Sequence, residues 1–270
     1  MKTSTASEKL KDKVGMPAFK TWNLWLAGLN ALQGAVILLL SATKSLPVQT
    51  SYLTGDPVSS ELAGESVLTT ASRHLFDVNM AYLIAGFFLV AALVNLAAAT
   101  VVRDQYEADL KKKINRLRWL GFGLTSGTML VALAMLGGVV ELSSLVMILA
   151  LSVIGGLSLM AAEIYNQAKA KANCFSAYVG VAAVAVPWVV LGVSVWGANL
   201  YGSGDMPAYL YGVYASAFIV SAAFIVNAYK QYKKQGKWND FLYGERIFLA
   251  LSLALTTVVA WQIFAGALRP

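Results

Sequence analysis

Charge is scarce in this sequence. Asp, Glu, Lys and Arg together make up 13% of the 270 residues, against 58% hydrophobic. That is too little charge to cover a water-soluble domain of this length, and the composition is that of an integral membrane protein. Cysteine and histidine are reduced to one each, Cys174 and His74. A single cysteine excludes an internal disulfide and a thiolate metal site, and a single histidine excludes a multi-histidine metal centre. There is no Walker loop, no GxGxxG between a strand and a helix, and no nucleophile–histidine pair, so the chain does not read as an enzyme. Acidic and basic residues are also missing from the middle of every apolar run. Proton pumps and ion-coupled transporters use such a residue to relay charge, so a transport function has little to rest on.

Long apolar segments dominate what is present. Seven of them, at about 21–42, 78–102, 117–140, 142–165, 175–198, 209–230 and 247–268, approach the roughly 20 residues needed to cross a bilayer. One seven-helix bundle over 21–270 uses up nearly the whole chain, with residues 1–20 left as a mobile polar tail. Pro187 falls mid-segment and is expected to kink the fifth helix. The 43–76 loop is the longest connection. Val48 to Leu53 alternates apolar and polar side chains and is stopped by Gly55-Asp56-Pro57, the pattern of a short strand entering a turn, so a β-hairpin is expected there. His74 lies in the same loop and reads either as a solvated histidine or as a pH sensor. The fold class is therefore an all-α membrane protein, a seven-transmembrane-helix bundle with a short hairpin in its first outer loop.

The basic residues alternate sides. All of the 21 Lys and Arg except Lys44, Arg73 and Arg269 fall in the tail, the 2–3, 4–5 and 6–7 loops, or the adjoining helix ends. The positive-inside rule then places the N-terminus in the cytoplasm and the C-terminus outside, in a multi-pass protein of the cell membrane. The net charge of +7 is spread over alternate loops, not gathered on one phosphate-binding face, which argues against a nucleic-acid partner. Lys111-Lys112-Lys113 either sets this topology or also meets anionic lipid.

Polar residues inside the spans are neutral. Asn30, Gln33, Asn95, Thr125, Ser126, Thr128, Ser216, Ser252, Thr256, Thr257 and Gln262 either line a small cavity or bond within and between helices as packing glue. Trp188 and Trp261 read either as pocket walls or as core. Gly123 and Gly127 have the small-xxx-small spacing that allows close helix approach. The charged residues nearest the spans are Arg118, Glu163, Glu245 and Arg246, which with Tyr165 form a candidate cytoplasmic polar cluster.

The closing segment reads GKWNDFLYGERIFLALSLALTTVVAWQIFAGALRP from Gly236 to Pro270. Its Gly236-Lys237-Trp238-Asn239, Gly244-Glu245-Arg246, Leu251-Ser252-Leu253 and Ala260-Trp261-Gln262-Ile263-Phe264 resemble the C-terminal block of the heliorhodopsins. Arg118-Trp119, Glu163 with Tyr165, Pro187-Trp188, Tyr211-Gly212 and Tyr52-Leu53 extend the resemblance over all seven helices. It implies a rhodopsin-like bundle, the inverted topology already derived, a homodimer, and retinal held as a Schiff base on a helix-seven lysine. Here that position is Thr256, and no lysine follows Lys237. A hydroxyl cannot form an imine with an aldehyde. The family's counterion glutamate corresponds to Gly121, and its two histidines to Asn30 and Asn95. Joint loss is what physics expects, because a buried carboxylate without its cation is destabilising.

The resulting expectation is a heliorhodopsin-like protein without covalent retinal, metal or other cofactor. It would act through the bilayer and an unidentified protein partner on the cytoplasmic side, with a smaller central cavity than a pigmented relative. The alternatives are a binding protein or sensor for a non-covalent apolar ligand such as retinal or a carotenoid, a light sensor, or an ion transporter. Thr125, Ser126, Trp188, Ser216, Ser252, Thr257, Trp261 and Gln262 are the candidate lining of any residual pocket.

Overall fold

A computed structural model describes the backbone of residues 3–167, 173–204 and 206–270, with side chains from residue 18 onward. Lys169 and Lys171, which contribute to the charge asymmetry, lie outside the described residues. In chain order the elements are α1 (Thr3–Leu40), β1 (Ser45–Gly55), α2 (Pro57–Ala63), β2 (Leu68–Asn79), α3 (Met80–Ala99), α4 (Arg103–Lys111), α5 (Arg116–Leu136), α6 (Leu142–Asn166), α7 (Phe175–Tyr201), α8 (Ala208–Tyr232) and α9 (Phe241–Ile263). Seven helices among the described residues are long and apolar enough to cross a membrane: α1 from Ala18, α3, α5, α6, α7, α8, and α9 with its π-helical extension to Leu268. This is a multi-pass membrane protein.

Helix ends differ from those read off the apolar runs, because caps set them and hydropathy does not. α1 is helical from Thr3, so no break in backbone conformation separates residues 3–20 from the first span. α3 starts at Met80 because the Asn79 side chain accepts from the Ala81 N–H at 2.9 Å, satisfying one of the free donors of a helix start. α9 starts six residues earlier than the expected 247, capped by Asp240, whose carboxylate accepts from Leu242 N at 3.0 Å. That shift carries Glu245 from the mouth of the helix to a buried place in its second turn.

The outer loop forms a two-stranded antiparallel hairpin, with Ser45 opposite Asn79, Gly55 opposite Leu68 and a bulge between Val48 and Gln49. Asp56 caps the short α2 at its tip, accepting from Val58 N, Ser59 N and Ser59 Oγ. These bonds, the Ser59 hydroxyl foremost, hold the Asp56 carboxyl below its ordinary range. The hairpin is tied to the bundle at the α5–α6 junction: Gln49 N donates to Val140 O at 2.9 Å, and the Glu141 carboxylate accepts from Ser51 N and Ser51 Oγ. Val48 is buried beneath it. His74, expected in a loop, belongs to β2; its ring faces Asp77 at 2.9 Å with both side chains more than half exposed.

Glycines draw α5, α6 and α7 together. A Cβ on Gly156 would lie 2.5 Å from Trp119 O and 3.2 Å from Gly123 Cα, and one on Gly127 would meet Leu149 and Ser152. Gly155 and Gly180 repeat the close approach between α6 and α7. Without a hydrophobic force between helices in lipid, such contact of backbones supplies the van der Waals attraction.

Candidate functional site

At the end of the bundle opposite the hairpin, a buried ion cluster joins α5, α6, α8 and α9. Arg118, in the first turn of α5, sits between two carboxylates: its Nη1 donates to Glu245 of α9 and its Nη2 to Glu163 of α6. Side-chain exposures are 7% for Arg118, 15% for Glu163 and 2% for Glu245, so desolvation falls on all three charges. Only dense pairing makes such burial tolerable. The guanidinium lies 4.1 Å from the Phe248 ring centroid and 4.4 Å from that of Trp119, two cation–π contacts that add attraction where water is excluded.

Asn115 organises the cluster. Its Oδ1 caps α5 by accepting from Arg118 N at 3.0 Å, its Nδ2 donates to Glu245 Oε2 at 2.7 Å, and its backbone N–H donates to Glu163 Oε1. Trp119 Nε1–H adds a bond to Glu163 Oε2 at 2.9 Å. From α8, Gln231 Nε2 donates to Glu245 Oε1 at 3.1 Å and to Phe241 O at 2.9 Å, while its Oε1 accepts from Arg118 at 3.2 Å. Gly244 makes this possible, since a Cβ there would sit 2.8 Å from Gln231 Nε2. Both carboxylates are thus hydrogen-bonded to Arg118 and to neutral donors around it, two carboxylates sharing one guanidinium.

A cavity of about 70 Å³ adjoins the cluster, lined among others by Asn23, Asn95, Tyr106, Arg118, Glu245 and Ser252. Burial, with the Glu245 charge second, raises the Tyr106 pKa and keeps it a neutral phenol. Arg118 Nε and Ser126 Oγ are buried with no partner among the described residues. The volume suits a few water molecules, each needing roughly 10–15 Å³ by this measure, and is well below the roughly 300–1,000 Å³ of a drug-sized ligand pocket.

Of the candidate pocket residues, Thr125, Ser126 and Ser252 line this cavity, as do Gly121 and Asn95. The others are engaged elsewhere or lie outside its lining. Trp261 Nε1–H donates to Gln33 of α1 at 2.9 Å, Ser216 Oγ–H donates to Gln262 Oε1 at 2.6 Å, and the Trp188 ring packs on Phe218. Thr257 is half-buried on α9. Thr256 is fully buried, and its hydroxyl donates to Leu253 O at 3.1 Å. Asn30 and Asn95 bond back to Leu26 O and Ala91 O within their own helices. A Cβ on Gly121 would lie 2.7 Å from Val94 Cγ1, so α3 occupies the space a longer side chain there would need. In the polar cluster, Arg118, Glu163 and Glu245 come together, whereas Tyr165 and Arg246 are exposed.

Asn115, Gln231, Asn23 and Tyr106 also belong to the site, and none of them stands out as a site residue in the sequence. Asn115 had a usable signal, since Asn three residues before the Arg118 N–H is an N-cap pattern. Gln231 had none, because it sits in a lysine-rich helix end that resembles solvated surface.

Seven spans, a hairpin over the α5–α6 junction and a buried arginine–carboxylate cluster at the far end define a rhodopsin-like membrane bundle. The heliorhodopsin family model matches residues 19–268, and the chain belongs to the heliorhodopsin family. No curated protein matches it.

Proposed function

We propose that this protein is a heliorhodopsin-family member that has given up covalent retinal and serves a non-photochemical signalling, regulatory or interaction role. The observation that carries the reading is Thr256: a fully buried hydroxyl bonded to its own helix, in a chain with no lysine after Lys237. Three further features support it. Gly121 is packed against Val94, Trp261 is bonded to Gln33, and both buried carboxylates are held by Arg118. A protonated Schiff base is a buried cation needing its own carboxylate, and Glu245 stands eleven residues before Thr256 on α9, roughly 16 Å along the helix.

In this reading the basic end of the bundle faces the cytoplasm, in line with the positive-inside rule. The protein acts as a homodimer, without catalysis, by contacts at that face and at the hairpin. The ion cluster then fixes α5, α6, α8 and α9 relative to one another, making that end a rigid platform for a partner. The test is the visible spectrum of protein expressed with all-trans retinal, washed, and recorded again after hydroxylamine. No retained visible band is expected. A band bleached by hydroxylamine would overturn the proposal, and one that persists unbleached would instead favour an apolar ligand held without a covalent bond.

A further inference from the structure

We propose that the turn joining α8 to α9, from Lys230 to Lys237, is a binding site for the phosphate headgroups of anionic phospholipids. The inference does not depend on whether the bundle holds a pigment.

The turn is built, not loose. Asn227, 2% exposed on α8, accepts from Trp238 Nε1–H at 2.6 Å and donates through Nδ2 to Gly244 O at 3.1 Å, pinning both the turn and the start of α9. The α8 end is closed by Gln235 N donating to Lys230 O at 3.1 Å and Lys234 N to Gln231 O at 3.2 Å. This closure needs a left-handed residue, a place that usually falls to glycine. Here Lys234 takes it, with φ +51°, followed by Gly236 at φ +55°. The left-handed turn directs the chain sharply from α8 toward α9, and Lys113 closes α4 in the same way with φ +60°.

Four ammonium groups fall within these eight residues. Lys233, Lys234 and Lys237 are exposed, and none of the four is paired with a carboxylate among the described residues. Lys230 lies 4.6 Å from the Trp238 ring centroid and Lys233 5.8 Å from that of Tyr229. The nearest acid in sequence, Asp240, is engaged in capping α9. In the other basic segment at this end, Asp104, Glu107 and Asp109 are interleaved with the cations and Arg103 and Arg116 are paired, and its exposed Lys111, Lys112 and Lys113 have no aromatic ring against them among the described residues.

Placement identifies the ligand. One span ends at Tyr232 and the next begins at Phe241, so the turn is confined to the depth where headgroup phosphates lie. Lysine stems can run along the apolar boundary with their charges outward, and Trp238 with half-exposed Tyr229 supplies aromatic anchors suited to that interface. An ammonium acts on a phosphate as a point charge and needs no bidentate geometry.

The experiment is native mass spectrometry of the full-length protein in detergent, titrated with phosphatidylglycerol or with phosphatidylcholine of the same acyl chains. The wild type is expected to retain phosphatidylglycerol preferentially, and less so as the volatile salt is raised. The triple variant Lys233→Gln, Lys234→Gln, Lys237→Gln is expected to lose on the order of a hundredfold in that retention. The charge-matched Lys111→Gln, Lys112→Gln, Lys113→Gln variant is expected to keep it. Circular dichroism melts check that both variants are folded, and single Lys233→Gln and Lys237→Gln variants replace the triple if it is not. Equal retention of the two lipids by the wild type, undiminished phosphatidylglycerol binding in the folded turn variant, or an equal loss in the α5-side variant would overturn the proposal.

Discussion

Replacing Arg118 by glutamine leaves Glu163 and Glu245 buried together without their shared cation. Both carboxylates are at least 85% out of solvent, and breaking a buried pair by removing one partner costs about 3–5 kcal/mol. The loss includes the cation–π contacts with Trp119 and Phe248. At roughly 2–4 °C per kcal/mol for domains of this size class, the unfolding midpoint should fall by on the order of 10 °C. The triple variant Arg118→Gln, Glu163→Gln, Glu245→Gln removes all three charges and keeps hydrogen-bonding groups of similar shape. It is expected within about 1–2 kcal/mol of the wild type, since neutral replacements of buried ion networks are often well tolerated. Glu163→Gln alone should do little harm, because the cluster carries two carboxylates for one guanidinium. Thermal melts in a single detergent, followed by circular dichroism, rank the four proteins. An Arg118→Gln midpoint within about 2 °C of the wild type, or a triple variant as unstable as the single one, would refute the reasoning.

Two other outcomes follow from geometry already described. Gly156→Ala places a Cβ against the Trp119 carbonyl and Gly123 Cα and should cost about 1–3 kcal/mol through overpacking, whereas Gly212→Ala, with open space around it, should be neutral or slightly stabilising in the same melts. At the hairpin tip, the Asp56 carboxyl titrates below its ordinary value of 3.8, so its contribution is complete above that value and is lost as pH falls through the depressed one. Hydrogen exchange at Val58 and Ser59 should therefore stay protected at pH 5 and open only in stronger acid, while Asp56→Asn should remove that acid transition.

Hydropathy alone located the seven spans, and alternation from Val48 to Leu53 located the hairpin, because membrane insertion and strand pairing each impose a one-dimensional pattern. Helix ends were less legible. Asp240 looks like part of a charged linker until its carboxylate is seen capping α9, and only then does Glu245 move from a flank to the interior. The cluster was legible in its ions and not in its organisers: Arg118, Glu163 and Glu245 stand out as charges near spans, whereas Asn115 and Gln231 are ordinary amides whose partners lie 130 and 14 residues away in α9. The candidate pocket was the least legible part. Trp261 pairs with Gln33 across 228 residues, and nothing in either helix's own pattern says which side chain it will meet.

The central claim of the proposed function is chemical: no lysine follows Lys237, so α9 offers no side-chain amine to an aldehyde pigment. The most direct measurement is borohydride reduction of the membrane protein saturated with all-trans retinal, followed by digestion and peptide mass spectrometry. The account predicts no retinyl mass on any peptide from 241–268 or elsewhere within the bundle. A reduced retinyl adduct on a side chain inside the seven helices would contradict it.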